Sequence, residues 1–118
     1  MIRKLDLATE FATPERCWIV ESYNTSEDRT ISIARARVEP GVQTAWHSLE
    51  GTIERYIIAE GCGCVEVGDE PPTQVGPGDL VIISAGTRQR IQNTGDTDLI
   101  FYCVWTPRFE QRTYRALE

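Results

Sequence analysis

The sequence lacks the features that mark membrane proteins, nucleotide-binding enzymes and serine hydrolases. Its apolar runs, such as Leu80 to Ile83, are far shorter than the roughly 20 residues that a membrane-spanning helix needs. No glycine-rich phosphate loop opens a helix, and no serine has a visible base and acid partner, so nucleotide binding and nucleophilic hydrolysis have no support. Long helical periodicity is also missing, which argues against a helical bundle.

Basic residues are few relative to acidic ones. The chain has 12 Lys and Arg against 18 Asp and Glu, a formal net charge of -6, and its arginines do not gather into one stripe. Such a surface repels a phosphate backbone, so we expect no nucleic-acid partner. The N-terminus has no sustained apolar core of the kind a secretory signal contains, and we expect a cytoplasmic location without membrane association.

The cysteines raise the question of whether the chain contains disulfide bonds. The four cysteines are Cys17, Cys62, Cys64 and Cys103. In a cytoplasmic chain reduced thiols are expected. Cys62 and Cys64 lie two apart in a predicted strand, about 6.5 Å between backbones, at the far limit for a disulfide. We therefore interpret all four as packed or interfacial thiols.

Short apolar runs separated by Gly, Pro, Asn and Asp indicate one all-β domain over residues 1–118. We expect a hairpin about Glu60-Gly61, a turn at 68–72, and a tail over 107–118 that forms a helical turn or an extended arm outside the barrel. The predicted strands are Leu5–Leu7, Cys17–Ser22, Ile31–Val38, Gln43–Leu49, Ile53–Ala59, Cys62–Val67, Leu80–Ile83, Arg88–Asn93 and Leu99–Thr106.

Two glycine-bounded stretches carry a recognisable spacing. Residues 41–61 follow the pattern G-x5-H-x-H-x4-E-x6-G through Gly41, His47, Glu54 and Gly61, and Leu49 stands where the second histidine belongs. Residues 78–93 follow G-x5-P-x-G-x2-H-x3-N, with serine in place of the proline and Gln89 in place of the histidine.

With these motifs the chain resembles a small single-domain cupin over about its middle half. The resemblance implies an all-β double-stranded β-helix, also called a jelly-roll barrel, and a homodimer. It also implies that His47 and Glu54 are metal ligands, with one divalent transition-metal ion as the candidate cofactor.

Strand alternation places Glu54, Tyr56 and Ile58 on one face. If the cupin register holds, a set of side chains from three segments points into the barrel. This candidate ligand-binding site consists of His47, Leu49, Glu54, Tyr56 and Gln89.

The chemistry of this site has two interpretations. His47, Glu54 and Gln89 offer one nitrogen and two oxygen donors to a divalent ion, while Leu49 cannot coordinate. Without a metal, the Gln89 amide donates to the Glu54 carboxylate, and His47 or the Tyr56 hydroxyl donates to the same group. We favour the metal-free network because two of the four ligand positions have lost their histidines.

The leading functional hypothesis is a cupin barrel that binds a small organic molecule, such as a sugar or an organic acid, with metal dependence weakened or lost. The alternative is a divalent-metal-dependent enzyme of dioxygenase, isomerase or lyase type that uses His47, Glu54 and Gln89, with Tyr56 as candidate proton donor. A third hypothesis makes the dimer the functional unit and the pocket a vestige.

Overall fold

The structure, a computed structural model, describes residues 1–118 and contains eleven β-strands, two short 3-10 helices and no α-helix. The strands, in chain order, are β1 Phe11–Ala12, β2 Trp18–Tyr23, β3 Ser32–Val38, β4 His47–Leu49, β5 Ile53–Glu60, β6 Gly63–Val67, β7 Thr73–Val75, β8 Leu80–Ile83, β9 Gln89–Asn93, β10 Leu99–Thr106 and β11 Tyr114–Ala116. The 3-10 helices are Leu7–Thr9 and Gln111–Thr113. No helix has the length and apolar character needed to cross a membrane.

The strands form two antiparallel sheets that face each other. A six-stranded sheet has the order β1-β2-β3-β10-β5-β8, and a five-stranded sheet has the order β11-β4-β9-β6-β7. Strands that neighbour in sequence often lie in different sheets, as expected of a jelly roll, and the all-β prediction is confirmed.

Alternation along the strands builds one core between the sheets. In β5 the side chains of Glu54, Tyr56 and Ile58 are buried, and in β9 those of Gln89 and Ile91 are buried, as the sequence predicted. Fifteen buried apolar residues from both sheets form a single cluster. The polar side chains of the candidate site therefore enter an otherwise apolar interior.

The predicted hairpin between β5 and β6 is wrong. β5 pairs with β10 and β8 in one sheet, while β6 pairs with β9 and β7 in the other. Between them Gly61 has φ +80°, and a Cβ there would lie 2.6 Å from the Asp98 carbonyl oxygen. The chain therefore crosses between sheets at Gly61, so that the inward faces of both strands meet across the core.

The predicted N-terminal strand Leu5–Leu7 is also wrong. Residues Leu7–Thr9 form a 3-10 helix, and the Asp6 carboxylate accepts a hydrogen bond from the Ala8 amide at 3.0 Å. Leu5 and Leu7 are exposed and have no strand partner. The hydrogen bond to the Asp6 side chain stabilises this helical turn, and no neighbouring strand is present to form sheet hydrogen bonds with these residues.

The tail does not stay outside the barrel as predicted. After Gln111–Thr113 it forms β11, which pairs with β4 so that Tyr114 lies opposite Leu49 and Ala116 opposite His47. The short strand β7 was not predicted either. Both strands are three residues long and are defined by their pairing, β11 with the distant strand β4 and β7 with the preceding strand β6.

Candidate functional site

A cavity of about 250 Å³ opens between the two sheets at the end where β4 and β11 lie. β4 contributes His47 and Leu49, β5 contributes Glu54, and β10 contributes Trp105. The remaining wall comes from the N-terminal and C-terminal segments and from β2: Phe11, Ala12, Thr13, Pro14, Glu15, Ile19, Glu21, Phe109, Gln111 and Tyr114.

A smaller cavity of about 30 Å³ lies against the same polar groups. Glu15, His47 and Glu54 line both cavities, whereas Tyr56 lines only the smaller one. Gln89 lines neither cavity and is 1% exposed. Of the five predicted site residues, the structure thus brings His47, Leu49 and Glu54 to the larger cavity and places the other two behind it.

The His47 ring is held by three neighbours. Its Nδ1 lies 2.8 Å from the Ala45 carbonyl oxygen and 3.2 Å from Glu15 Oε2. The ring stacks on Tyr114, with centroids 5.4 Å apart and an angle of 17° between planes. Because both groups around Nδ1 are acceptors, we assign the proton to Nδ1, and this leaves the Nε2 lone pair for an occupant of the cavity.

Glu15 is the site residue that sequence reasoning missed. Its carboxylate accepts hydrogen bonds from the Tyr114 hydroxyl at 3.2 Å and from the Cys17 thiol at 3.2 Å, besides its contact with His47. Glu15 lies between β1 and β2, outside both motifs, and no local pattern marks it. Only the return of the chain to the barrel mouth places it beside the imidazole.

Glu54 is an acid in an apolar setting. It is 4% exposed, and its Oε1 has no hydrogen-bond partner. Burial raises the pKa of Glu54 from its usual value near 4.5 to about 7, and the negative charge of Glu15 acts in the same direction. His47, Gln89 and Cys103 oppose this shift without cancelling it. The carboxyl group is therefore poised to hold or release a proton near neutral pH.

Tyr56 and Gln89 form a pair of their own. The Tyr56 hydroxyl donates to Gln89 Oε1, and the Tyr56 ring lies against Phe101 at a centroid distance of 4.4 Å. Burial raises the pKa of Tyr56 well above its usual range. The metal-free network predicted from the sequence has either His47 or the Tyr56 hydroxyl donating to Glu54. In the structure the Tyr56 hydroxyl donates to Gln89.

The two facing sheets and the internal polar site define a double-stranded β-helix protein with an enclosed pocket. The model of the family described as "Cupin domain" matches residues 34–105, more than half of the chain. The chain therefore belongs to the cupin family, as the two motifs predicted.

Relatives and solved structures extend this comparison. The chain is 36% identical over 72 residues to an oxalate-binding protein of Thermotoga maritima. The matched segment covers 60% of this chain and 58% of that protein. This chain therefore spans less than two thirds of the length of that relative.

Two solved structures share the fold at low identity. A predicted oxalate decarboxylase of Thermotoga maritima superposes with a TM-score of 0.81 at 23% identity, covering 91% of this chain and 99% of that one. Streptomyces Pac13, a nucleoside dehydratase, superposes with a TM-score of 0.79 at 14% identity, covering 100% and 92%.

The donors present do not fit the metal ion that the resemblance implies. The Gln89 amide oxygen is occupied by the Tyr56 hydroxyl, and Leu49 is apolar. His47 Nε2 and the Glu54 carboxylate are left, whereas protein sites for transition metals use three or four ligands. No three His, Cys, Asp or Glu side chains converge in a geometry that suits a metal.

Proposed function

We propose that the barrel binds a small, uncharged, hydroxyl-bearing organic molecule, sugar-like in chemistry, and that it does so without a metal ion. One observation carries this proposal. The two buried polar side-chain atoms without a hydrogen-bond partner are Glu54 Oε1, an acceptor, and Trp105 Nε1, a donor, and both side chains line the cavity. A ligand hydroxyl group can donate to Glu54 Oε1 and accept from Trp105 Nε1. Rotation about the last side-chain torsion of Glu54, which costs little energy, allows Oε1 to turn toward that hydroxyl.

The charge of the cavity wall argues for a neutral ligand over an organic acid. Glu15, Glu21 and Glu54 line the cavity, and no Lys or Arg does. A dicarboxylate such as oxalate would meet these carboxylates with no Lys or Arg to offset them, and like charges in a desolvated site repel strongly. The oxalate binding named for the Thermotoga relative is therefore not the best expectation for this chain.

The apolar part of the wall supports a ring-shaped ligand. The aromatic side chains of Phe11, Trp105, Phe109 and Tyr114 line the cavity, and Trp105 packs against Phe109 at a centroid distance of 5.2 Å. Such faces pack against the C–H surface of a ring while its hydroxyls reach the polar groups. At about 250 Å³ the cavity suits one ring rather than an extended molecule.

We assign roles to the predicted site residues accordingly. His47 Nε2 and Glu54 contact ligand hydroxyls, and Leu49 provides apolar contact. Tyr56 and Gln89 support Glu54 from behind and do not reach the ligand.

Binding measurements test the proposal. Thermal-shift and calorimetric titrations would compare neutral monosaccharides and cyclic polyols with the matching sugar acids and amino sugars. We expect a neutral compound to raise the melting temperature, and we expect Glu54→Gln and Trp105→Phe each to weaken its binding by about tenfold or more. Glu70→Gln, an exposed carboxylate away from the cavity, is the matched control. Tighter binding of the acids, or unchanged affinity in both cavity variants, would overturn the proposal.

Elemental analysis tests the metal-free part separately. Protein purified without chelators should carry far less than one equivalent of iron, manganese, nickel, copper or zinc. The double variant Leu49→His with Gln89→His should gain such a site, because it restores both missing ligands. Stoichiometric metal in the natural protein that disappears in Glu54→Ala would support the metal-dependent enzyme instead.

A second candidate function is metal-independent proton transfer on the bound molecule. The Glu15 carboxylate beside His47 Nδ1 fixes the tautomer that makes Nε2 a base. Hydrogen–deuterium exchange of ligand C–H groups, followed by NMR, measures such chemistry. We expect Glu15→Gln to slow exchange by roughly 10²-fold with little effect on affinity; absence of exchange in the natural protein leaves binding as the function.

The cytoplasmic location expected from the sequence stays a prediction, which cell fractionation checks. We also propose the homodimer that the resemblance implies, and size-exclusion chromatography with light scattering tests it.

A further inference from the structure

One residue that carries a Cβ atom has a left-handed backbone conformation. Arg16 has φ +72°, whereas every other residue with positive φ is a glycine. This conformation costs energy for a residue with a side chain, because Cβ then comes close to the following carbonyl oxygen. Arg16 directly follows Glu15, the carboxylate that lies 3.2 Å from His47 Nδ1. Strained residues cluster at functional sites, so the reason for this conformation bears on the site.

Arg16 lies in a tight turn that Thr13 and Cys17 close. The Thr13 amide and the Thr13 hydroxyl both donate to the Cys17 carbonyl oxygen at 2.9 Å. The Arg16 amide donates to the Thr13 carbonyl oxygen at 3.2 Å. Within this turn the Glu15 carbonyl oxygen accepts a hydrogen bond from the Ala45 amide at 3.0 Å. The turn is therefore attached to the segment that leads into β4.

The Arg16 side chain connects the turn to two other segments. Its Nε donates to the Gln43 carbonyl oxygen at 2.8 Å, and its Nη2 donates to Glu118 Oε1 at 2.8 Å. The other oxygen of Glu118 accepts a hydrogen bond from the Trp46 amide at 3.0 Å. Gln43 and Trp46 both lie between β3 and β4. The guanidinium thus holds the turn against the residues that directly precede His47.

These contacts explain why arginine occupies a position where the backbone favours glycine. A glycine adopts positive φ at little cost, but it has no side chain to donate to Gln43 or Glu118. Both hydrogen bonds of the Arg16 side chain have a charged donor, and such bonds are stronger than neutral ones. The side-chain contacts therefore offset the strain of the backbone.

The Arg16 side chain does not itself reach the cavity. Thr13, Pro14 and Glu15 line the cavity, whereas Arg16 does not, and its side chain is 51% exposed. It touches neither the His47 ring nor the space for a ligand. An effect of Arg16 on the site therefore has to pass through the position of Glu15.

We infer that Arg16 is a positioning residue of the site. By fixing the turn in its strained form, Arg16 holds the Glu15 carboxylate against His47 Nδ1. Without this restraint the turn relaxes, and the Ala45 carbonyl oxygen is left as the acceptor for Nδ1. The role rests on the proposed function in one respect, because it affects a ligand only if His47 Nε2 contacts that ligand.

NMR of the imidazole tests the inference, because His47 is the only histidine in the chain. The variant Arg16→Gly relieves the strain and removes both side-chain contacts. We expect its melting temperature to stay within about 5 °C of that of the natural protein. The Nδ1–H proton of His47 should nevertheless exchange with water about tenfold faster, because it loses a charged acceptor.

An alanine variant and a matched arginine control accompany this measurement. Arg16→Ala also removes the side-chain contacts and should show the same faster exchange. Arg115→Ala is the control, since the Arg115 side chain is 45% exposed and pairs with Glu50 at 2.8 Å. We expect the control to leave the exchange of the His47 proton unchanged. Circular dichroism verifies folding, and Glu118→Gln, which removes the charge paired with Arg16, replaces both Arg16 variants if neither folds.

Combination with Glu15→Ala shows whether Arg16 acts through Glu15. Glu15→Ala alone should speed exchange of the Nδ1–H proton, and adding Arg16→Gly should change that rate by less than about twofold. Unchanged exchange in the Arg16 variants, or an equal acceleration with and without Glu15, would overturn the inference. The measurement needs no ligand. A barrel that binds no neutral compound would therefore refute the proposed function and leave these outcomes as they are.

Discussion

At the scale of single residues, Glu54 is the side chain whose state depends most on its surroundings. Its folded-state pKa of about 7 lies above its usual value near 4.5. Between these values the folded protein keeps the proton that the unfolded chain releases, so stability falls as pH rises through this window and levels off above it. The difference corresponds to about 3 kcal/mol, the cost of an ionised carboxylate in the core.

We therefore predict that Glu54→Gln changes stability in a pH-dependent way. At pH 5 the variant should match the natural protein, because glutamine resembles the protonated acid. At pH 8 it should be more stable by up to about 3 kcal/mol. Urea unfolding at both pH values measures this, with Glu70→Gln as control. Equal stability differences at pH 5 and pH 8 would contradict the assigned pKa.

At the scale of elements, the cavity is completed by segments outside the two motifs. The motif strands β4 and β5 supply His47 and Glu54 to its wall, and β9 places Gln89 behind them. The turn before β2 brings Glu15, and the strand β11 brings Tyr114. β11 is fixed by its pairing with β4. The wall of the site is thus a consequence of sheet pairing rather than of motif chemistry.

The second prediction concerns Tyr114, the residue of β11 that lines the cavity. Tyr114→Ala removes the ring that stacks on His47 and the hydroxyl that donates to Glu15. We expect a loss of about 2 kcal/mol in unfolding free energy and weaker ligand binding. Arg115→Ala, next in the strand but exposed, should cost less than about 0.5 kcal/mol. Thermal and chemical unfolding compare the two, and equal losses would mean that Tyr114 does not support the site.

At the scale of the whole molecule, the two sheets share one core. The buried cluster combines Leu49, Val65 and Ile91 from the five-stranded sheet with residues such as Ile58 and Phe101 from the six-stranded sheet. Neither sheet buries its inner face without the other. We therefore expect the chain to unfold as one cooperative unit.

Ile91→Ala tests this cooperativity. Ile91 is fully buried, so the variant should lose about 2–5 kcal/mol. Far-UV circular dichroism and tryptophan fluorescence should shift together, because Trp46 precedes β4 in one sheet and Trp105 lies in the other. Leu7→Ala, at an exposed position, should change little. Separate transitions for the two signals would contradict a shared core.

Strand alternation and the two spaced motifs were sufficient to predict the all-β barrel and the inward direction of Glu54, Tyr56 and Gln89. Local pattern determines these features, because side chains in a strand must alternate wherever the chain pairs. The same pattern could not identify partners: residues 53–67 look like a hairpin, yet their two strands belong to different sheets.

The sequence by itself thus determined the fold class, the family and the segments that carry His47, Leu49 and Glu54. Only the tertiary structure decided that Glu15 and Tyr114 hold the imidazole, that Gln89 pairs with Tyr56, and that β8 is left as an edge. The physical reason is that contacts between residues distant in sequence depend on how strands pair and sheets pack. No local signal encodes that arrangement.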